Sequence, residues 1–162
     1  MEDIPDNWQQ QAEERKKDYR LMLDRFKGKK ARRVLKQLPA LHEEAFSRIS
    51  CQQCAHCCKT ISPRFKTPDI RRIAKFLHLK ESVLIDTYLD LDEEGDFVVK
   101  STPCPFLGAD NLCQIYEARP GDCRQYPYTD NEVLIKRPAT TCLNAVICPA
   151  VYYVLERLKG IR

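Results

Sequence analysis

Nine of the 162 residues are cysteine, and four of the nine fall within eight positions, Cys51-Gln52-Gln53-Cys54-Ala55-His56-Cys57-Cys58. Two residues between cysteines is the spacing at which a loop turns both thiolates onto one centre. A third cysteine at the same interval extends that loop, as in the loops that hold iron–sulfur clusters. The doubled Cys57-Cys58 is more restrictive. Adjacent side chains diverge, so the pair is read as serving two centres or neighbouring ions, and a disulfide between neighbours would be strained.

The remaining cysteines are spread over the second half of the chain. Cys104 and Cys148 each precede a proline. Proline removes a backbone donor and stiffens the turn, and a remote Cys-Pro step commonly completes a cluster begun by a C-x2-C-x2-C loop. Cys113, Cys123 and Cys142 stand alone, at loop or helix-start positions. Nine thiolates suffice for two four-cysteine centres with one to spare, or for shared bridging positions around a small polynuclear cluster. Zinc accepts four thiolates in a closed tetrahedron, and iron–sulfur clusters use the same ligand type. The triple loop and the Cys-Pro steps point towards iron–sulfur, while the Cys51/Cys54 knuckle reads equally as zinc. The metal stays open between them.

Few other side chains carry chemistry. His56 lies inside the cysteine loop and is read as solvent-facing, since thiolates already suffice as ligands. His42 and His78 fall on helical stretches, where a surface or packed histidine is expected. Arg119 and Arg124 flank Cys123, and Lys59 follows Cys58; cationic groups lower the cost of gathering thiolates. An acidic substrate held by Arg119 is the alternative. Tyr116 and Tyr126 are read as packing shields. There is no glycine-rich phosphate loop, no G-x-S-x-G and no dinucleotide or methyl-donor motif, with only five glycines in the chain.

These residues need elements to position them. Trp8, Ala12, Tyr19, Met22, Leu23 and Phe26 recur at helical spacing, and Gly28 interrupts the pattern. A second helix is expected near Ala31, with Val34, Leu35 and Leu38 inward and a separate or bent segment after Pro39. The basic run Lys27, Lys29, Lys30, Arg32, Arg33 and Lys36 is read as a solvated helix face rather than a nucleic-acid or lipid contact. Thr67-Pro68-Asp69 reads as a helix start with Thr67 as N-cap. A helix over Glu81–Leu89, a strand at Phe97–Val99, a turn at Ala109-Asp110-Asn111, a strand at Val133–Ile135 and a last helix after Pro149 follow. The N-terminus is acidic and has no apolar leader, and no run approaches the length of a membrane span. The expected location is therefore cytoplasmic, where clustered cysteines bind metal rather than form disulfides.

The ordered set Cys51-x-x-Cys54-x-x-Cys57-Cys58, Thr67-Pro68-Asp69-Ile70, Cys104-Pro105-Phe106-Leu107, Cys113-Gln114-Ile115-Tyr116 and Arg119 to Pro127 resembles the YkgJ-type cysteine-cluster family, bacterial proteins described as zinc- or iron-chelating. The resemblance covers about residues 46–128. It implies Cys51, Cys54, Cys57, Cys58, Cys104, Cys113 and Cys123 as ligands; Cys142 and Cys148 are added from spacing and the Cys-Pro step. Bacterial flagellin lysine methylases, linked to an iron–sulfur cluster, are similar in cysteine pattern. Ala55 stands where the family usually has glycine, which suggests a slightly different turn there.

The expected fold is mainly α with small β elements: a compact, metal-organised cysteine-rich domain over 46–162, with an N-terminal helical pair, residues 1–45, packed on it. The expected function is a metal-binding protein holding zinc or iron, in one form an iron–sulfur cluster, with a redox or auxiliary enzymatic role. The alternatives are a structural zinc module binding a partner or nucleic acid, and a metal storage or delivery protein. Metal ions are the expected partners and a protein partner is left open, while nucleic acid and membrane are not expected.

Overall fold

The computed structural model describes residues 4–161. Among the described residues the regular elements are helical apart from one two-stranded sheet. In order it forms α1 (Trp8–Glu14), α2 (Lys16–Asp24), α3 (Gly28–Arg48), α4 (Cys51–Cys54), α5 (His56–Thr60), α6 (Thr67–Phe76) and α7 (Glu81–Tyr88). The hairpin β1 (Leu89–Leu91) and β2 (Phe97–Val99) follows, then α8 (Gly121–Gln125), α9 (Val133–Lys136), α10 (Pro138–Ile147) and α11 (Pro149–Leu158). The mainly α expectation with small β pieces holds. No helix among the described residues is long and apolar enough to cross a membrane.

Contacts divide the chain into two units, one of residues up to Cys51 together with those from Pro127 onward, the other Gln52–Tyr126. This division differs from one drawn along the sequence at residue 45, because the C-terminal helices join the N-terminal ones. In the first unit the apolar stripe Trp8, Ala12, Tyr19, Leu23 and Phe26 is buried, in one core with Val151, Val154, Leu155 and Leu158 of α11. Polar groups at the rim of that core are paired: the Tyr19 hydroxyl donates to Glu156 at 2.5 Å, and Arg15 meets Glu156 at 3.0 Å.

Three local expectations are corrected in this unit and its neighbour. The helix α3 continues through Pro39 as one element, so the segment after it is not a separate helix. Proline removes a single i→i−4 bond there, while Val34, Leu38 and Ala45 are buried on one face and keep the helix docked. The segment Val133–Ile135 is helical, not a strand. Asn131 accepts the Val133 N–H at 3.0 Å and starts the turn; Leu134 is buried, and Thr141 donates its hydroxyl to the Leu134 carbonyl at 2.8 Å. Local capping and burial outweigh the β preference of Val and Ile. At α6 the residue before the helix is Lys66, not Thr67.

The second unit has a smaller core, made of Phe65, Ile70, Ile73, Ala74, Leu84, Leu89, Val99, Phe106, Ile115 and Ala118. β1 and β2 pair antiparallel with Leu89 opposite Val99, and Phe65 adds an isolated bridge to Phe97. Cys104 and Cys113 pack against this core from its edge.

Candidate metal centre

The cysteine loop is two short helices joined by one residue. Cys51 and Cys54 open and close α4, and Cys57 and Cys58 lie in α5. Ala55 between them is buried and left-handed, at φ +48° and ψ +14°. The expectation of a different turn is corrected: alanine adopts the conformation that glycine would favour, at a cost of about 1 kcal/mol. The Cys57 and Cys58 sulfurs are 4.0 Å apart, far beyond an S–S bond. All nine cysteines carry thiols rather than disulfides.

Backbone bonds bring the distant cysteines to this loop. The Cys104 N–H donates to the Cys58 carbonyl at 2.7 Å, pinning the Cys-Pro step to α5. From Cys104 the chain makes a tight loop, with Leu107 bridged to Cys113, Gly108 N–H donating to Leu112 O at 2.9 Å, and Asp110 accepting the Leu112 N–H. Asn111, at φ +64°, makes the reversal, as the turn signal Ala109-Asp110-Asn111 foretells. That loop returns Cys113 to the neighbourhood of Cys104.

Cys123 is positioned by a buried carboxylate. Asp69, 6 % exposed, accepts the Lys66 N–H at 3.0 Å, the Gly121 N–H at 3.1 Å and Arg72 Nη2 at 2.7 Å. Arg72 in turn donates to the carbonyls of Ala118 and Arg119. The acid that caps α6 therefore also clamps the turn entering α8, which carries Cys123. Burial alone would raise the Asp69 carboxyl, but Arg72 and the two N–H groups outweigh it and hold the group below the usual carboxylate range. Sequence reasoning saw only the helix start; Gly121 lies 52 residues away, and the nearest signal was the fixed order of Thr-Pro-Asp and Arg-Pro-Gly-Asp-Cys.

The flanking cations brace backbone. The Arg119 guanidinium stacks 3.8 Å from the Tyr116 ring centroid and donates to the Tyr116 carbonyl. Arg124 donates to the Glu117 and Arg119 carbonyls, and Arg64 holds Asp122 at 3.1 Å. Lys59 is exposed. His42 on α3 sits 2.8 Å from the Thr129 hydroxyl and lies tilted against the Phe46 ring, centroids 4.6 Å apart. His78 is exposed, at φ +56° just beyond α6.

Cys104 feels the charge of Cys58 and Cys113, and Cys123 that of all three. Burial pushes Cys104 up to about 11, against the Phe106 and Leu107 N–H groups and with the help of Cys58 and Cys113. Burial pushes Cys123 up to about 12, reinforced by Cys58, Cys104, Cys113 and Asp122. Among the described residues no three His, Cys, Asp or Glu side chains already stand in a metal-holding arrangement. The donors are gathered within mutual electrostatic reach rather than closed on one point. A set of half-buried thiols that repel one another as thiolates suits a soft, thiophilic cation such as zinc or iron.

Of the other predicted ligands, Cys51 is the last residue of the first unit's N-terminal part, and Cys142 and Cys148 lie in its C-terminal part. Cys142 is buried in the apolar core on α10, its thiol donating to the Lys16 carbonyl at 3.6 Å. Cys148 is the extended residue between α10 and α11, partly buried against the same core.

A cysteine-rich helical module is what this arrangement defines, and a comparison with family models supplies its class. The chain belongs to the CxxCxxCC family, described as a "putative zinc- or iron-chelating domain", whose model matches residues 50–143, more than half of the chain. The matched span contains every cysteine except Cys148. Searches of curated proteins and of solved structures returned no match.

Proposed function

We propose that Cys58, Cys104, Cys113 and Cys123 hold zinc or iron as one four-cysteine centre. Cys51, Cys54 and Cys57 on the adjoining loop extend it to a second or bridged metal position. The observation that supports this reading is the mutual electrostatic reach of the four thiols, carried by the Cys104–Cys58 backbone bond. The centre serves a redox or auxiliary enzymatic role, with the metal supplying electron-transfer or Lewis-acid chemistry and Arg119, Arg124 and Arg64 holding the loops around it. A cytoplasmic location fits clustered thiols, which persist in reducing compartments.

Purification without oxygen, followed by measurement of iron, zinc, acid-labile sulfide and visible absorption, tests it. Iron with thiolate–iron absorption in fixed stoichiometry is the expected result. Zinc alone would replace the redox role with a structural zinc module, and several exchangeable ions would point to storage or delivery. Absence of any bound metal would overturn the reading altogether.

A further inference from the structure

Charge is segregated along this chain. Between Asp24 and Glu43 lie seven basic residues and no acid; between Lys80 and Lys100 lie seven acids and no base. Outside the basic stretch the acids outnumber the bases, so that stretch accounts for the whole of the +4 net charge. On other helices the cations meet acids one turn away, as in Lys16–Glu13, Arg20–Asp24 and Lys136–Glu132. Among the described residues, Lys27, Lys29, Arg32 and Lys36 have no ion pair, and all four are exposed. Cations at the start of α3 also oppose the helix dipole. On the acidic side Asp86, Asp90, Glu93 and Glu94 are likewise exposed and without ion pairs among the described residues.

Each stretch carries a matching apolar feature. The acidic hairpin displays Leu91, 62 % exposed at the end of β1, and Leu79 and Val83 are exposed just before it. Beside the basic stretch, the first unit has an open cleft of about 300 Å³. Leu21, Met22, Phe26 and Leu158 give it apolar walls, and Arg25, Lys30 and Lys159 frame it, with Asp18 as its one acid. An exposed leucine on an acidic hairpin complements an apolar cleft ringed by cations.

We propose that the chain associates head to tail with a second copy of itself, Leu91 and the acidic hairpin of one copy docking on the cleft and basic helix of the other. A polyanion would account for the basic stretch alone. A second copy accounts for the cations, the acids, the leucine and the cleft together. The contact is heterologous, pairing one surface with a different one, so association rises with concentration.

Sedimentation of the full chain as isolated tests this at about 0.01 M and about 1 M salt, where the screening length falls from about 30 Å to about 3 Å. Concentration-dependent growth at low salt and a monomer at high salt are expected. A basic-reversed variant (Lys27→Glu, Lys29→Glu, Arg32→Glu) and an acid-reversed variant (Asp90→Lys, Glu93→Lys, Glu94→Lys) are each expected to be monomeric. All six positions are exposed, and unchanged metal content and circular dichroism verify folding. Mixed with an excess of wild type, either variant still offers one intact surface, so it is expected to cap wild-type assemblies and lower their mean size. Leu91→Ser weakens association about tenfold with the charges intact. A wild-type monomer at every concentration in low salt would overturn the proposal, as would assembly by either reversed variant alone. Wild-type chains that stay monomeric yet bind a single-stranded RNA probe would assign the basic helix to nucleic acid instead.

Discussion

The two units have similar chain lengths but unequal cores. The first buries a cluster of twenty residues, with Trp8, Tyr19, Tyr152 and Tyr153 among them; the second buries a cluster of ten. The first is tied at its rim by tyrosine–carboxylate–arginine contacts such as Tyr153–Glu44. The second relies on a buried carboxylate, arginines clasping carbonyls, and cysteines gathered at the edge of its core. Small domains with too little apolar burial commonly need a metal or another crosslink to stay folded. The two cysteine populations sit differently: Cys142 is buried within the larger core, whereas Cys104 and Cys113 pack against the smaller one, and the proposed centre of Cys58, Cys104, Cys113 and Cys123 would stabilise that smaller core.

The largest effect that would sharpen this contrast is loss of ligands. Cys104→Ser with Cys123→Ser is expected to abolish metal binding at the proposed centre and to unfold residues 52–126, since structural metal binding contributes on the order of 10 kcal/mol. Elemental analysis and circular dichroism check it, and retained metal would break the assignment. Next comes Asp69→Ala, which strands Arg72 and the Gly121 N–H and is expected to cost about 3 kcal/mol. Denaturant titration should place that loss in the second unit alone. The Asp69 carboxyl is depressed in the folded chain, so its contribution is present above the ordinary carboxylate value and is lost as pH falls through the depressed one. Wild type should therefore lose stability in acid more steeply than Asp69→Asn.

A smaller effect is expected at Cys142. Cys142→Ala should cost about 1 kcal/mol in the first unit through lost packing, with metal content unchanged; a drop in bound metal would return Cys142 to the ligand set. The smallest is Ala55→Gly. It relieves a left-handed alanine but adds backbone entropy to the unfolded chain, so a gain of about 0.5 kcal/mol is expected. Thermal unfolding of the metal-loaded protein measures it, and a loss of stability would show that the buried Ala55 methyl matters more than its φ.

The sequence made some of this legible and hid the rest for definite reasons. Proline and acid signals at Thr67-Pro68-Asp69 and Pro149 located α6 and α11, because those signals act within one turn. The Cys spacing announced a metal site, since ligand type and interval are local properties. Val133–Ile135 misled because β-branched residues carry a strand preference that an asparagine cap and one buried leucine overrode. The second role of Asp69 was invisible, as its partner Gly121 is distant in sequence. The joining of the C-terminal helices to the first unit was hidden for the same reason: an apolar stripe announces that it packs, not what it packs on.

Hydrogen exchange along the chain, before and after metal is withdrawn by a chelator in oxygen-free buffer, tests the contrast most directly. Protection should vanish across residues 52–126 while α1, α3, α10 and α11 keep theirs. Equal protection in both units after metal removal, or equal loss in both, would contradict the account.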